Sequence, residues 1–193
     1  MKSGRLLFAV SEQSKFYTDR LWSYFSDDNG RTWKSGNLVP NPDSVLLQEP
    51  AVMELKNGDI YMLIRTNAGV QYSSVSKDKG ETWSTCMPTK LKSPTAPATI
   101  ARIPSTGDLL VVWDDNGVDQ KRNPLNIAVS KDETVSWTNI KSLENDPGGR
   151  FCYTAIHFTG KHVLLGYTAG SHEKGKGWSD LHITRVSYDW IYK

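Results

Sequence analysis

Ser26-Asp27-Asp28-Asn29-Gly30-Arg31-Thr32-Trp33 returns fifty positions later as Ser76-Lys77-Asp78-Lys79-Gly80-Glu81-Thr82-Trp83, and a worn third copy stands at Ser130-Lys131-Asp132-Glu133-Thr134-Val135-Ser136-Trp137. The shared Ser-x-Asp-x-Gly-x-Thr-Trp frame recurs at spacings of 50 and 54. A period of roughly 40 to 50 residues is that of a repeated four-stranded sheet. The repeats predict an all-β chain, a β-propeller of four-stranded antiparallel blades. Each box lies between strand-like runs and so occupies a hairpin connection, where Gly takes a positive φ and the Asp carboxylate accepts bonds from loop N–H groups. Trp then plugs the turn with its indole N–H left to find a partner. In the third copy Thr134 stands where the others have Gly, which predicts a different backbone path there. An EF-hand reading of Asp27-Asp28-Asn29-Gly30 fails, because the position two before Asp27 is Phe25 and no Glu falls six residues after Gly30.

Working outward, strand-like runs divided by Gly, Pro, Asn and Asp are expected at 5–10, 21–26, 32–37, 51–55, 60–65, 71–76, 82–87, 98–103, 109–113, 126–130, 136–141, 151–158, 162–167 and 181–188. At about four strands per blade this is roughly three and a half blades in one portion spanning residues 1–193. No helix with convincing caps is expected. An open array leaves sheet edges unpaired, so the expectation is that N-terminal blades are absent from this chain or that copies self-associate through the open edges.

The 193 residues are 38% hydrophobic and 10% aromatic, ordinary for a water-soluble fold. A net charge of +2 without a Lys/Arg cluster argues against nucleic acid. No run is long enough to cross a bilayer and no signal peptide precedes the first strand, so no membrane partner is expected. Cys86 and Cys152 fit no metal or redox spacing and read as buried free thiols. His157, His162, His172 and His182 share no metal spacing. Neither metal nor cofactor is expected.

The segment with most chemical content runs from Gln48-Glu49-Pro50-Ala51-Val52 through a hairpin at Asn57-Gly58-Asp59 to Leu63-Ile64-Arg65-Thr66. Glu49 and Arg65 fall at the same end of two antiparallel strands, where the pair is either functional or a solvated salt bridge. Further marked segments are Ser93-Pro94-Thr95-Ala96-Pro97, Leu109 to Asp114, Arg122-Asn123-Pro124-Leu125 and Tyr153-Thr154-Ala155-Ile156.

Taken in order, the three boxes and these segments resemble the Asp boxes and central motifs of the sialidase (neuraminidase) superfamily over nearly the whole chain. The resemblance implies a six-bladed propeller of the BNR-repeat type in the full family member. It also implies a glycoside hydrolase that releases a terminal acidic sugar, sialic acid or similar. In that pattern Tyr153 resembles the nucleophile, Glu49 the glutamate beside it, and Arg65 and Arg122 two of three carboxylate-binding arginines. All would aim at one shared concavity. Trp113, beside Asp114 and Asp115, either lines the pocket or packs within the blade. The first arginine and the acid/base aspartate have no counterpart, since Arg5 and Arg20 lack the flanking sequence and Asp19 has no matching context. The alternative is a non-catalytic carbohydrate-binding or interaction propeller.

These residue types suit the chemistry. An anomeric carbon bearing its own carboxylate repels an anionic nucleophile, so a phenol deprotonated only as it attacks suits it better, and sialidases use Tyr where most glycosidases use a second carboxylate. A free phenol ionises near pH 10, so a neighbouring Glu must draw off its proton. Arginine grips a carboxylate through two parallel bonds while staying charged.

Overall fold

A computed structural model describes residues 1–12, 20–173 and 177–193; Asp19 lies outside these. The chain forms two compact units, Met1–Lys90 and Leu91–Lys193. Among the described residues fourteen strands form four antiparallel sheets, each a meander in chain order. The first holds β1 (Leu6–Glu12), β2 (Arg20–Ser26) and β3 (Lys34–Ser35), and the second β4 (Gln48–Glu54), β5 (Ile60–Arg65), β6 (Val70–Ser76) and β7 (Met87–Lys92). The third holds β8 (Thr99–Arg102), β9 (Leu109–Asp114), β10 (Leu125–Ser130) and β11 (Thr138–Glu144). The fourth holds β12 (Gly149–Thr159), β13 (His162–Ser171) and β14 (Trp178–Ser187), followed by a five-residue helix α1 (Tyr188–Tyr192). Two complete and two three-stranded blades match the blade count expected from the repeats.

In the first unit Leu21, Val39, Leu47, Ile60, Met62, Ile64 and Trp83 make one core between the first two sheets. In the second, the inner strands β9 and β10 are buried along their whole length. Strands covered on both faces read as unbroken apolar runs, and Leu109-Leu110-Val111-Val112-Trp113 is one. Their core joins Leu110, Val112, Ile127 and Val129 to Phe151, Leu165 and Tyr167 of the fourth sheet.

The aspartate cages of the three boxes fold alike to the level of single bonds. Asp28 Oδ1 accepts from Ser26 Oγ and Thr32 N at 2.8 Å, and Asp28 Oδ2 from Thr32 Oγ1 at 2.6 Å. Asp78 repeats this with Ser76 and Thr82, and Asp132 with Ser130 and Ser136. The expectation of a different path in the third copy is wrong: Thr134 adopts φ 80, against 84 at Gly30 and 93 at Gly80. Its N–H donates to Ser130 Oγ at 2.9 Å, as those of Gly30 and Gly80 do to Ser26 and Ser76. The carboxylate cage and the serine hydroxyl hold the loop against the side chain's own preference.

Other differences have similar local causes. The strand expected over 82–87 begins only at Met87, because Thr82 spends its N–H and hydroxyl on Asp78. The last strand stops at Ser187, whose hydroxyl accepts from Trp190 N at 3.1 Å and caps α1. A five-residue helix offers too little periodicity to be legible. Trp83 is buried and donates to Ser23 Oγ at 3.1 Å, whereas Trp33 is exposed and donates to Gly30 O. The second box thus packs onto the first sheet.

Candidate functional site

The strand β12 is interrupted where Tyr153 stands. Cys152 pairs with Thr168 and Ala155 with Gly166, so Tyr153 and Thr154 together oppose the single residue Tyr167. This is a β-bulge, which re-aims side chains and recurs beside active sites. Tyr153 takes φ 57, a left-handed conformation that costs a non-glycine residue about 1 kcal/mol or more. As a result Tyr153 is 48% exposed while Cys152 and Thr154 on either side are buried. The same device appears at Glu49. Gln48 pairs with Arg65 and Ala51 with Leu63, so Glu49 and Pro50 oppose Ile64 alone, and Glu49 takes φ 39. Strained backbone thus falls on the two residues that resemble the family's nucleophile and the glutamate beside it.

Within the second unit Arg122 lies beside Tyr153, its guanidinium carbon 5.5 Å from the phenol ring centroid. Two ties place it there. Its Nη2 donates to Thr95 O at 3.1 Å and its carbonyl accepts from Phe151 N at 3.0 Å. Gln120, in the same loop, accepts from Thr95 N and Oγ1 at 2.7 and 2.8 Å. The Ser93-to-Pro97 segment is therefore the rest on which the Arg122 loop sits. Trp178, unremarked in the sequence, is 39% exposed with the Arg122 guanidinium 5.5 Å from its ring. Nothing around it in the sequence marks it, since β14 brings it near only through the fold.

Asp114 closes β9 under this group. It is 1% exposed, and both carboxylate oxygens are sealed from solvent. Burial pushes its carboxyl up to about 8, with the charge of Arg122 and the thiol of Cys152 drawing it back. Near neutrality it holds a proton and leaves the charge of Arg122 uncompensated. Trp113, expected to line a pocket, is instead 2% exposed with its indole donating to Lys92 O at 3.1 Å. It packs as a buried strut because β9 is covered on both faces.

In the first unit Arg65 Nη1 donates to Glu49 Oε2 at 2.7 Å, and Arg65 Nε is buried without a partner. The ion pair is largely shielded, at 14% and 33% side-chain exposure, so it is more than a solvated surface contact. Arg5, weighed as a missing arginine, is fully engaged elsewhere. It forks onto Asp27 at 2.6 and 2.7 Å and reaches Glu81 at 3.0 Å, so it braces the first two boxes. Arg20 pairs with Glu12 at 2.6 Å on the exposed rim. Among the described residues no cluster of His, Cys, Asp and Glu is set to hold a metal ion.

Residues 1–167 match the BNR repeat-like domain family. Among curated proteins, a sialidase of Vibrio cholerae serotype O1 is 28% identical across 81% of this chain and 23% of its own length. The chain thus spans about a quarter of the curated relatives it matches. Among solved structures, the Hadza microbial sialidase Hz136 superposes with a TM-score of 0.77 at 21% identity, over 98% of this chain and 36% of that one. The intramolecular trans-sialidase of Ruminococcus gnavus in complex with oseltamivir carboxylate gives 0.73 at 19%, over 97% and 41%. At such identities these likenesses show the fold.

Proposed function

Because the chain belongs to the BNR repeat-like domain family and has the β-propeller fold of the sialidases, we propose that it contributes the Tyr153 side of a site for a terminal acidic sugar of the sialic acid type. The observation that carries this reading is the bulge at Tyr153, which spends backbone strain to turn a tyrosine outward beside Arg122. Arg122 binds the sugar carboxylate, its charge kept free by a protonated Asp114. Tyr153 attacks the anomeric carbon; the phenol proton leaves as the C–O bond forms and the glycosidic bond breaks. For Glu49 and Arg65 the reading rests on their motif and on the strained, ion-paired setting they share. By resemblance, Glu49 has the role of the glutamate that accepts a phenol proton and Arg65 that of a carboxylate-binding arginine.

No acid/base aspartate is assigned in this chain, and loss of general-acid help typically costs about 10²- to 10⁴-fold. By itself the chain is therefore expected to turn over a fluorogenic sialoside weakly or not at all while still binding the free sugar. Titration calorimetry with N-acetylneuraminic acid tests this reading. Binding by the parent that drops at least tenfold in Arg122→Ala supports it. Binding indifferent to that change removes Arg122 from the site, and efficient turnover by this chain shows that a proton donor has gone unassigned.

A further inference from the structure

We propose that Arg150 is a second anion-binding arm of the Arg122–Tyr153 site, gripping the same carboxylate as Arg122; this rests on the reading just given. Arg150 stands three residues before Tyr153 on β12 and opposite Gly170 of β13, the far side of the bulge from the hairpin end. Its guanidinium carbon lies 4.2 Å from the Trp178 ring centroid, and that of Arg122 lies 5.5 Å from the same centroid. One indole therefore carries two guanidiniums, which repel each other unless an anion lies between them.

None of the described residues supplies that anion. Neither arginine makes an ion pair with a described carboxylate, and Arg150 Nε is buried without an acceptor. A desolvated N–H without an acceptor is costly, and a charged one more so, so an unmatched guanidinium that persists against an indole is poised for a ligand. The surroundings agree. The nearby carboxylate of Asp119 is taken by Lys121 at 3.1 Å. His172, with Nε2 also buried and unpartnered, is driven toward its neutral form first by burial and then by the charges of Arg150, Lys121 and Arg122, against Asp119. The local field is thus positive beside an exposed tyrosine, and a planar carboxylate, whose two oxygens carry about four acceptor sites, can accept from the two arginines set against one indole.

The test is calorimetry with N-acetylneuraminic acid and with its methyl ester, on the parent, Arg122→Ala, Arg150→Met and Arg150→Lys. Methionine keeps an apolar stem on Trp178 and removes the charge. The expected result is a loss of about tenfold or more for the acid in Arg150→Met, little change for the ester, and partial recovery in Arg150→Lys. Equal weakening of acid and ester would assign Arg150 to packing alone and overturn the inference, as would no change in Arg150→Met. Either of these outcomes leaves the Arg122 reading standing if Arg122→Ala still abolishes binding of the acid. A parent that binds neither probe overturns both.

Discussion

Asp114 is the residue whose chemistry departs furthest from its ordinary range, and its consequence for stability can be stated with its sign. Its folded carboxyl titrates at about 8 because burial disfavours the charge, against Arg122 and Cys152, which favour it. Below about pH 4 both folded and unfolded chains carry the proton, and the buried acid costs nothing through ionisation. As pH rises toward 8 the unfolded chain releases its proton and the folded chain resists, so stability drains across that window. Asp114→Asn removes the titration and should flatten the fall by an amount on the order of 5 kcal/mol by pH 8, read from urea denaturation at several pH values. A parallel fall in both proteins would place the proton elsewhere. Thr134 makes the complementary case, a β-branched residue held at φ 80. Thr134→Gly should stabilise the chain by about 1 kcal/mol, seen as a rise in Tm.

At the scale of elements, the boxes and the two bulges do different work. Burial pushes the Asp78 carboxyl up, but hydrogen bonds from Thr82 and Ser76 outweigh it and hold the group at about 2; Asp28 is held at about 2 chiefly by Thr32 and Ser26. Both pKa values are depressed, so the boxes contribute stability above about pH 4 and lose it as pH falls through about 2. Asp78→Ala should cost about 1–2 kcal/mol at neutral pH by orphaning the loop donors, and should leave the chain less sensitive to acid; thermal melts at pH 7 and pH 2.5 check both halves. The boxes were legible because turn chemistry is local: Ser, Asp, Gly and Thr at fixed offsets satisfy one another within a single loop. The bulges were not. Nothing in Gln48-Glu49-Pro50 or Cys152-Tyr153-Thr154 dictates that two residues face one, since the cross-strand register decides it. The same reasoning explains Trp113, where a tryptophan beside two aspartates read as a pocket wall and the burial of β9 on both faces made it core.

For the molecule as a whole, periodicity carried the architecture and motif order carried the site. Repeats spaced by 50 and 54 residues fixed the blade as the unit, and the blade count followed from strand runs. Arg122 and Tyr153, thirty-one positions apart, meet through packing of the third sheet's loop on β12. Their meeting was anticipated only through resemblance, while Trp178 and Arg150 became visible only once the fold had gathered them. The measurement that tests the central claim most directly is a crystal of this chain soaked with free N-acetylneuraminic acid. The account predicts the sugar carboxylate within hydrogen-bonding distance of the Arg122 guanidinium, with the anomeric carbon turned to the Tyr153 hydroxyl. Sugar bound on another face of the unit, or an unoccupied Arg122 at saturating concentration, would contradict it.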